Sequence, residues 1–253
     1  MEKLLGLPPL ASEHGANVDK LIIYVHWLMA VLFIGWIIYF GYTLIRFNHR
    51  TNPKADYVGL RGHLSNYIEL AVAAVEGVLL VCFAVPLWAG QVDHFPTPDE
   101  HPINIRIIAQ QFNWNVFYPG ADGEFGRRDI SLVSDSNPWG IDNNDPKSKD
   151  DFNTVDEIHV VVNRPVIVNI SSKDVIHSFK VIAMRVTQDA IPGLQIPLHF
   201  TPTKVGLYQI NCAQLCGNGH YNMSHGRLFV DTQEDYDKWL AAKAKGGGAK
   251  SFE

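Results

Sequence analysis

The chain has 253 residues, 47% hydrophobic and 19% charged, with 26 acidic against 21 basic side chains and a formal net charge of −5. This composition excludes disorder and collagen-like repetition and leaves room for more than one folding unit. Residues 1–90 hold six acids and six bases, so the net charge lies wholly in the remaining 163 residues, with 20 acids and 15 bases; such a balance argues against nucleic acid as a partner and suits a basic one.

A mixed-charge tail over residues 1–20, with Pro8 and Pro9, precedes 25 residues between Lys20 and Arg46 that lack Asp, Glu, Lys and Arg. At ~1.5 Å per helical residue that run exceeds the ~30 Å hydrocarbon core of a bilayer. No small-residue cleavage pattern follows it, so a retained membrane helix is predicted over about 21–46, with aromatics at both ends and His26 near one interface. A second apolar run predicts a helix over about 65–90, interrupted only by Glu69 and Glu76. The loop between them carries Arg46, His49, Arg50, Lys54 and Arg61 against the single acid Asp56. That excess places the loop on the cytoplasmic side, and the N-terminus and everything after residue 90 on the other face, which in a bacterium is the periplasm. The hairpin spans residues 21–92.

From residue 93 to 232 the texture changes. Proline-punctuated segments give way to short β-branched and aromatic runs at 103–109, 112–118, 157–170, 175–183, 205–211 and 226–231, the spacing of a sandwich or barrel. The stretch 134–153, rich in Asn, Asp, Ser and Pro, reads as a surface loop. Thr232, followed by Glu234, Asp235, Tyr236, Trp239 and Leu240, predicts an N-capped helix that fades into a flexible tail over 233–253.

The chemistry concentrates in Cys212-Ala-Gln-Leu-Cys216-Gly-Asn-Gly-His220-Tyr-Asn-Met223, where two thiols, an imidazole and a thioether fall within twelve residues. Sulfur and imidazole together suit copper. Gly217 and Gly219 let the segment curl around an ion, which a regular strand with alternating side chains does not allow. Zinc competes, although its sites seldom take Met and favour a C-x₂-C knuckle; two packed thiols beside a surface histidine are the plain structural alternative. A mononuclear blue copper site needs one Cys, so a second suggests two bridging thiolates and two ions.

This segment resembles the dinuclear copper A loop of cytochrome c oxidase subunit II, C-x-E-x-C-x₃-H-x₂-M, and Ser171-Ser-Lys-Asp174-Val-Ile-His177 resembles that family's S-x-D-V-x-H segment. Asp189-Ala-Ile-Pro-Gly193 fits as well, and the likeness covers nearly the whole chain. It implies a cupredoxin-like Greek-key barrel after a two-helix transmembrane hairpin, of bacterial type, in the inner membrane. Copper A would be held by His177, Cys212, the backbone carbonyl of Gln214, Cys216, His220 and Met223; His225 has no such role. The resemblance further implies the subunit through which electrons pass from cytochrome c to haem in subunit I, beside subunit III, where oxygen is reduced to water with proton translocation. Haem and the oxygen-reducing centre then lie in the partner subunit, since this chain has no C-x-x-C-H.

Three departures stand out. Gln214 replaces the usual Glu of a magnesium site at the subunit I interface, and a neutral amide is a poorer ligand for that ion. Phe112, in Gln111-Phe112-Asn113-Trp114, stands where the family's electron-accepting tryptophan is usual, making Phe112 and Trp114 the candidates for electron entrance, or else simply barrel packing. Glu69 matches the glutamate at the mouth of a proton channel, or reaches headgroup water from one turn into its helix; Glu76 stands in place of a proline. Asp122, Glu124, Asp129, Asp135, Asp142 and Asp145 are candidate docking charges for a basic cytochrome c. A membrane-anchored copper carrier is the alternative from another class. A quinol oxidase subunit lacks the copper ligands, and a copper A nitrous oxide reductase lacks the two-helix anchor.

Overall fold

The computed structural model describes residues 5–54, 57–59, 62–134, 137 and 139–245. Asp56, Arg61, Asp135 and the tail after residue 245 lie outside the described residues. The chain forms two compact units, one within residues 17–93 and one joining residues 8–16 to those from 94 onward.

The first unit is a pair of helices long and apolar enough to cross a membrane, Gly15–Arg46 and Leu64–Val92, whose most apolar stretches have no buried residue. Trp36, Ile38 and Ile45 are all more than 60% exposed, the surface expected of side chains whose solvent is lipid. Polar groups return to their own backbone: the His26 imidazole Nδ1 lies 2.7 Å from the Ile22 carbonyl, and Thr43 donates to the Phe40 carbonyl at 2.8 Å. These two side chains thus meet a backbone partner within their own helix. The second helix widens into a π turn at Leu80–Ala84, where the Val85 N–H reaches the Leu80 carbonyl. Pro86 follows at once; its missing N–H and ring displace the ordinary i to i−4 ladder, which the wider turn accommodates. Tyr24 meets Phe83 edge-on at 5.8 Å between the two helices.

The second unit is all β, closed by a C-terminal helix. Its largest sheet runs β3 (Phe152–Val155), β2 (Asn113–Tyr118), β1 (Ile103–Gln110), β5 (Val166–Ser172), β8 (Ile196–Phe200). Two three-stranded sheets complete it: β10 (Asn211–Cys212), β6 (His177–Val181), β7 (Val186–Ala190), and β4 (Glu157–Val161), β11 (Arg227–Asp231), β9 (Gly206–Gln209). The pairs β1–β5 and β4–β11 are parallel; the other strand pairs are antiparallel. Burial alternates strictly along β1 and β5. Ile105, Ile107 and Ala109 face the core with Val168 and Ile170, while Arg106, Asn169 and Ser171 point to the outer face.

The apolar stretch 157–170 is two strands in different sheets, because Asn163 turns left-handed (φ 59°) ahead of Pro165. Strands β3, β7 and β8 arise where the sequence offers little periodicity. β8 carries Pro197, tolerated because β8 is an edge strand. The presumed tail is partly built in: Ala11 is buried, its N–H donating to the Ala183 carbonyl and its carbonyl accepting from Thr203 N–H, both at 2.8 Å. At the other end Thr232 Oγ1 accepts from Asp235 N–H at 3.2 Å, capping the helix Gln233–Lys245. Trp239 of that helix stacks on His159 at 4.3 Å and donates to Glu157 at 3.1 Å.

Candidate metal centre

Strand pairing brings the ligand segments together. β6 and β10 are antiparallel with Phe179 opposite Cys212, so His177, two residues back, stands beside the point where the chain leaves β10 for the cysteine loop. The loop then turns in: Gly219 leads into a single 3₁₀ stretch, His220–His225, which delivers Met223 to the core. Ring nitrogen of His177 and the sulfurs of Cys212 and Cys216 all lie within 4.8 Å of one another. Met223 Sδ is 3.0 Å from His177 Nδ1 and 3.5 Å from Cys216 Sγ, and His220 Nδ1 is 3.4 Å from Cys216 Sγ. Cys212 Sγ sits 3.0 Å from the Gln214 carbonyl oxygen, while the Gln214 side chain is exposed. His177 and Met223 are fully buried and Cys216 nearly so. His225 is exposed and packs edge-on against Tyr221.

Neighbouring groups fix these ligands. His177 Nε2 meets Asp174 Oδ1 at 2.9 Å, leaving Nδ1 turned to the sulfurs, the orientation a ligating imidazole takes when a carboxylate holds its other nitrogen. Gln111 ties the two segments: its backbone N–H donates to Asp174 Oδ2 at 2.7 Å and its side chain to the Cys216 carbonyl at 2.6 Å. Trp114 donates its indole N–H to the Met223 carbonyl at 3.0 Å. Gln111 and Asp174 were not singled out as functional from the sequence, although both lie inside the motifs that located the site.

The glycines are required by close approach. A Cβ on Gly219 would stand 2.3 Å from the Phe112 ring, and one on Gly217, whose φ is 135°, 2.8 Å from the Gln111 amide. Phe112 thus lies directly on the cysteine loop, and Trp114 beneath it is fully buried, edge-on to Phe179 at 5.4 Å and 6.3 Å from the His177 ring.

The two thiols are electrostatically unequal. Burial opposes ionisation of Cys212, but hydrogen bonds from His177, the Ser178 and Gln214 backbone and Cys216 together outweigh it and hold the thiol below its ordinary value. Burial, reinforced by the charge on Cys212, pushes Cys216 up to about 11. Burial likewise opposes a charged His177, yet Cys212 and Asp174 raise it on balance. Cys212 therefore ionises more readily than Cys216, whose proton a bound cation would help to displace. A soft donor set of two sulfurs, a thioether and two imidazoles, with His177, Cys216 and Met223 buried and Cys212 and His220 half-buried, fits copper in the sequence-predicted positions.

Other predicted residues fall elsewhere. Glu69 is exposed on the second apolar helix, with Glu76 two turns on. The acids read as docking charges are largely engaged inside their own loop: Asp142 is buried and paired with Arg127, Glu124 pairs with Lys147, Asp129 accepts from Ser131, Asp145 from the Arg127 and Lys147 N–H groups, and Asp122 from Glu124 N–H. Asp142 and Glu124 are thus paired with cations, while Asp122 and Asp129 keep exposed carboxylates. Leu215 and Tyr221, exposed at 78% and 74%, add apolar surface to the rim of the cysteine loop beside the exposed Gln214, Asn218 and Asn222.

Residues 103–226 match the family model described as cytochrome c oxidase subunit II, periplasmic domain. The alternative cytochrome c oxidase subunit 2 of Bradyrhizobium diazoefficiens is 29% identical over 233 residues, 92% of this chain and 82% of that protein. A probable cytochrome c oxidase subunit 2 of Rickettsia felis is 31% identical over 216 residues, 85% of this chain but 63% of its relative. Among solved structures, the periplasmic domain of subunit II of Bradyrhizobium japonicum cytochrome oxidase aligns with 58% of this chain and 96% of that one, at 27% identity and a TM-score of 0.43.

Proposed function

The chain belongs to the cytochrome c oxidase subunit II family, part of an oxidoreductase complex, and on that premise we propose that it receives electrons for a bacterial respiratory oxidase through a dinuclear copper A centre. The observation that carries this is the convergence of His177, Cys212 and Cys216, with Met223 and His220, at one largely buried cluster. Cys212 and Cys216 would hold the copper through their thiolates, His177 and His220 through imidazole nitrogens, Met223 through its thioether and Gln214 through its backbone carbonyl. Copper, when bound, would supply a one-electron relay. The protein's part is to keep the ligands from moving: Asp174 orients His177, Gln111 locks the Cys216 backbone and Trp114 locks Met223, so little rearranges as charge changes.

Phe112 and Trp114 form the route by which electrons enter, Phe112 from the surface of the loop and Trp114 from beneath. The donor is a cytochrome c that docks on the rim of the cysteine loop, and the acceptor is haem in subunit I. Both helices span the inner membrane, with the N-terminus and the β domain in the periplasm, and Glu69 stands at a proton-channel mouth. An exposed amide at Gln214 does not favour the family's magnesium.

Electron paramagnetic resonance of the full-length chain in detergent, loaded with copper and partly oxidised, tests this. A signal split by two equivalent coppers is expected. A mononuclear cupric signal, or preference for colourless zinc, would overturn the assignment and favour a copper carrier.

A further inference from the structure

The segment 119–151 does more than connect strands. On the outer face of the large sheet, Arg106 of β1 pairs with Phe117 of β2 on one side and Asn169 of β5 on the other. Residues from the loop roof this face: Phe125 and Trp139 stack on either side of Phe117, at 5.6 and 4.9 Å. Beside Trp139 is a half-open cavity of about 210 Å³ lined by Arg106, Arg128, Trp139, Asn169, Ser171 and Gln195, among others. It is far larger than the ~30 Å³ share of one water and has donors on several sides.

Its donors are not used up. Arg106 Nη1 and the Trp139 indole N–H are buried with no hydrogen-bond partner among the described residues, and Trp139 is only 3% exposed. A buried donor left unpaired costs about 1–3 kcal/mol, so two in one cavity call for a ligand. Arg106 lies flat on the Phe125 ring at 3.9 Å and Arg128 is fixed by its Nε donating to the Trp139 carbonyl at 2.7 Å. Among the described residues neither guanidinium forms an ion pair with a carboxylate. Asp151, the acid that acts electrostatically on Arg106, spends one oxygen on the Gly126 N–H.

We propose that this cavity is a binding site for a small oxyanion, a phosphate or carboxylate group, held by Arg106 and Arg128 with the Trp139 indole N–H as a third donor. Guanidinium forks match such groups bidentately. The electrostatics agree: burial, and Arg128 beside it, hold the Arg106 guanidinium below its ordinary value, and an anion relieves both. Asp151, lifted to about 6 by burial, offsets only part of this, since Arg106 stays below its ordinary value despite the attraction of that carboxylate.

The test is a titration of the full-length chain in detergent with inorganic phosphate, then acetate, replacing chloride at constant ionic strength. The readout is the indole N–H nuclear magnetic resonance signal of Trp139, assigned with Trp139→Phe. A saturable shift of that signal is expected, weakened at least about tenfold in Arg106→Gln and in Arg128→Gln, as loss of a charge-assisted hydrogen bond requires. Saturation by phosphate identifies a free anion; response to acetate alone, abolished in the assembled oxidase, identifies a carboxylate of an adjoining chain. A Trp139 signal unmoved by either anion in the unaltered chain would overturn the proposal, as would equal affinity in both folded variants. The unaltered chain decides the matter even where a variant does not fold.

Discussion

Replacing Trp114 by Phe separates the two duties that the structure gives this residue. Its ring is fully buried and its indole N–H is the partner of the Met223 carbonyl at 3.0 Å. Phe keeps the edge-on contact with Phe179 but strands that carbonyl, at a cost of about 1–3 kcal/mol. The smaller ring leaves a void worth a further ~1–2 kcal/mol. Trp114→Phe is therefore expected to lose about 2–4 kcal/mol, or roughly 5–15 °C in Tm at ~2–4 °C per kcal/mol for a chain of this size. Because the lost bond restrains the backbone of the proposed axial ligand, the copper spectrum should change as well. Trp239→Phe, which disturbs the stack on His159, should lower Tm without altering that spectrum. Denaturant titration and electron paramagnetic resonance of both variants decide it. A Trp114→Phe loss below ~1 kcal/mol with an unchanged spectrum would refute the view that Trp114 holds Met223.

Gly219→Ala drives a methyl into the Phe112 ring and should cost about 1–3 kcal/mol; in a double-mutant cycle Phe112→Ala should recover most of it, and simple additivity would sink the steric account. Asp151→Asn should stabilise the chain at neutral pH. A carboxyl lifted to about 6 from an ordinary 3.8 corresponds to 2.2 × 1.36, about 3 kcal/mol, reduced to about 1 kcal/mol because the group is partly solvated. Since the folded state binds this proton more tightly than the unfolded state, the wild-type penalty is full above pH ~6 and should vanish by about pH 4, which urea titrations at the two pH values measure. Copper at about a hundredfold its Kd should stabilise the folded chain by ~2.7 kcal/mol, and a chelator should remove that increment; a melting curve indifferent to chelation would contradict a folded-state site.

The membrane hairpin was legible because 25 uncharged residues in a row admit few other solutions, and its helix limits moved only where Gly15 to Lys20 extend the first helix. The proposed copper loop was legible because five of its donors, counting the Gln214 carbonyl, lie within twelve residues, so local spacing already carries the geometry. His177 was reached only through its motif, since nothing local ties it to Cys212, 35 residues away; the β6–β10 register does that. Strands β3, β7 and β8 escaped notice because they are short and β8 carries a proline, features that edge positions tolerate and central strands do not. Six acids looked like one charged surface, yet the partners that occupy five of them appear only once the loop is folded.

By itself, then, the sequence determined what depends on neighbours along the chain: membrane-spanning length, strand alternation, and the identity and spacing of soft donors. Tertiary structure alone decided which distant groups meet. It set His177 against two sulfurs, put Phe112 over Gly219, and brought Phe125, Arg128 and Trp139 to Arg106 so that two buried donors share a cavity. The reason is physical: periodicity records which face of an element is buried, whereas register and loop closure, which fix what that face is buried against, arise from contacts summed over the whole domain.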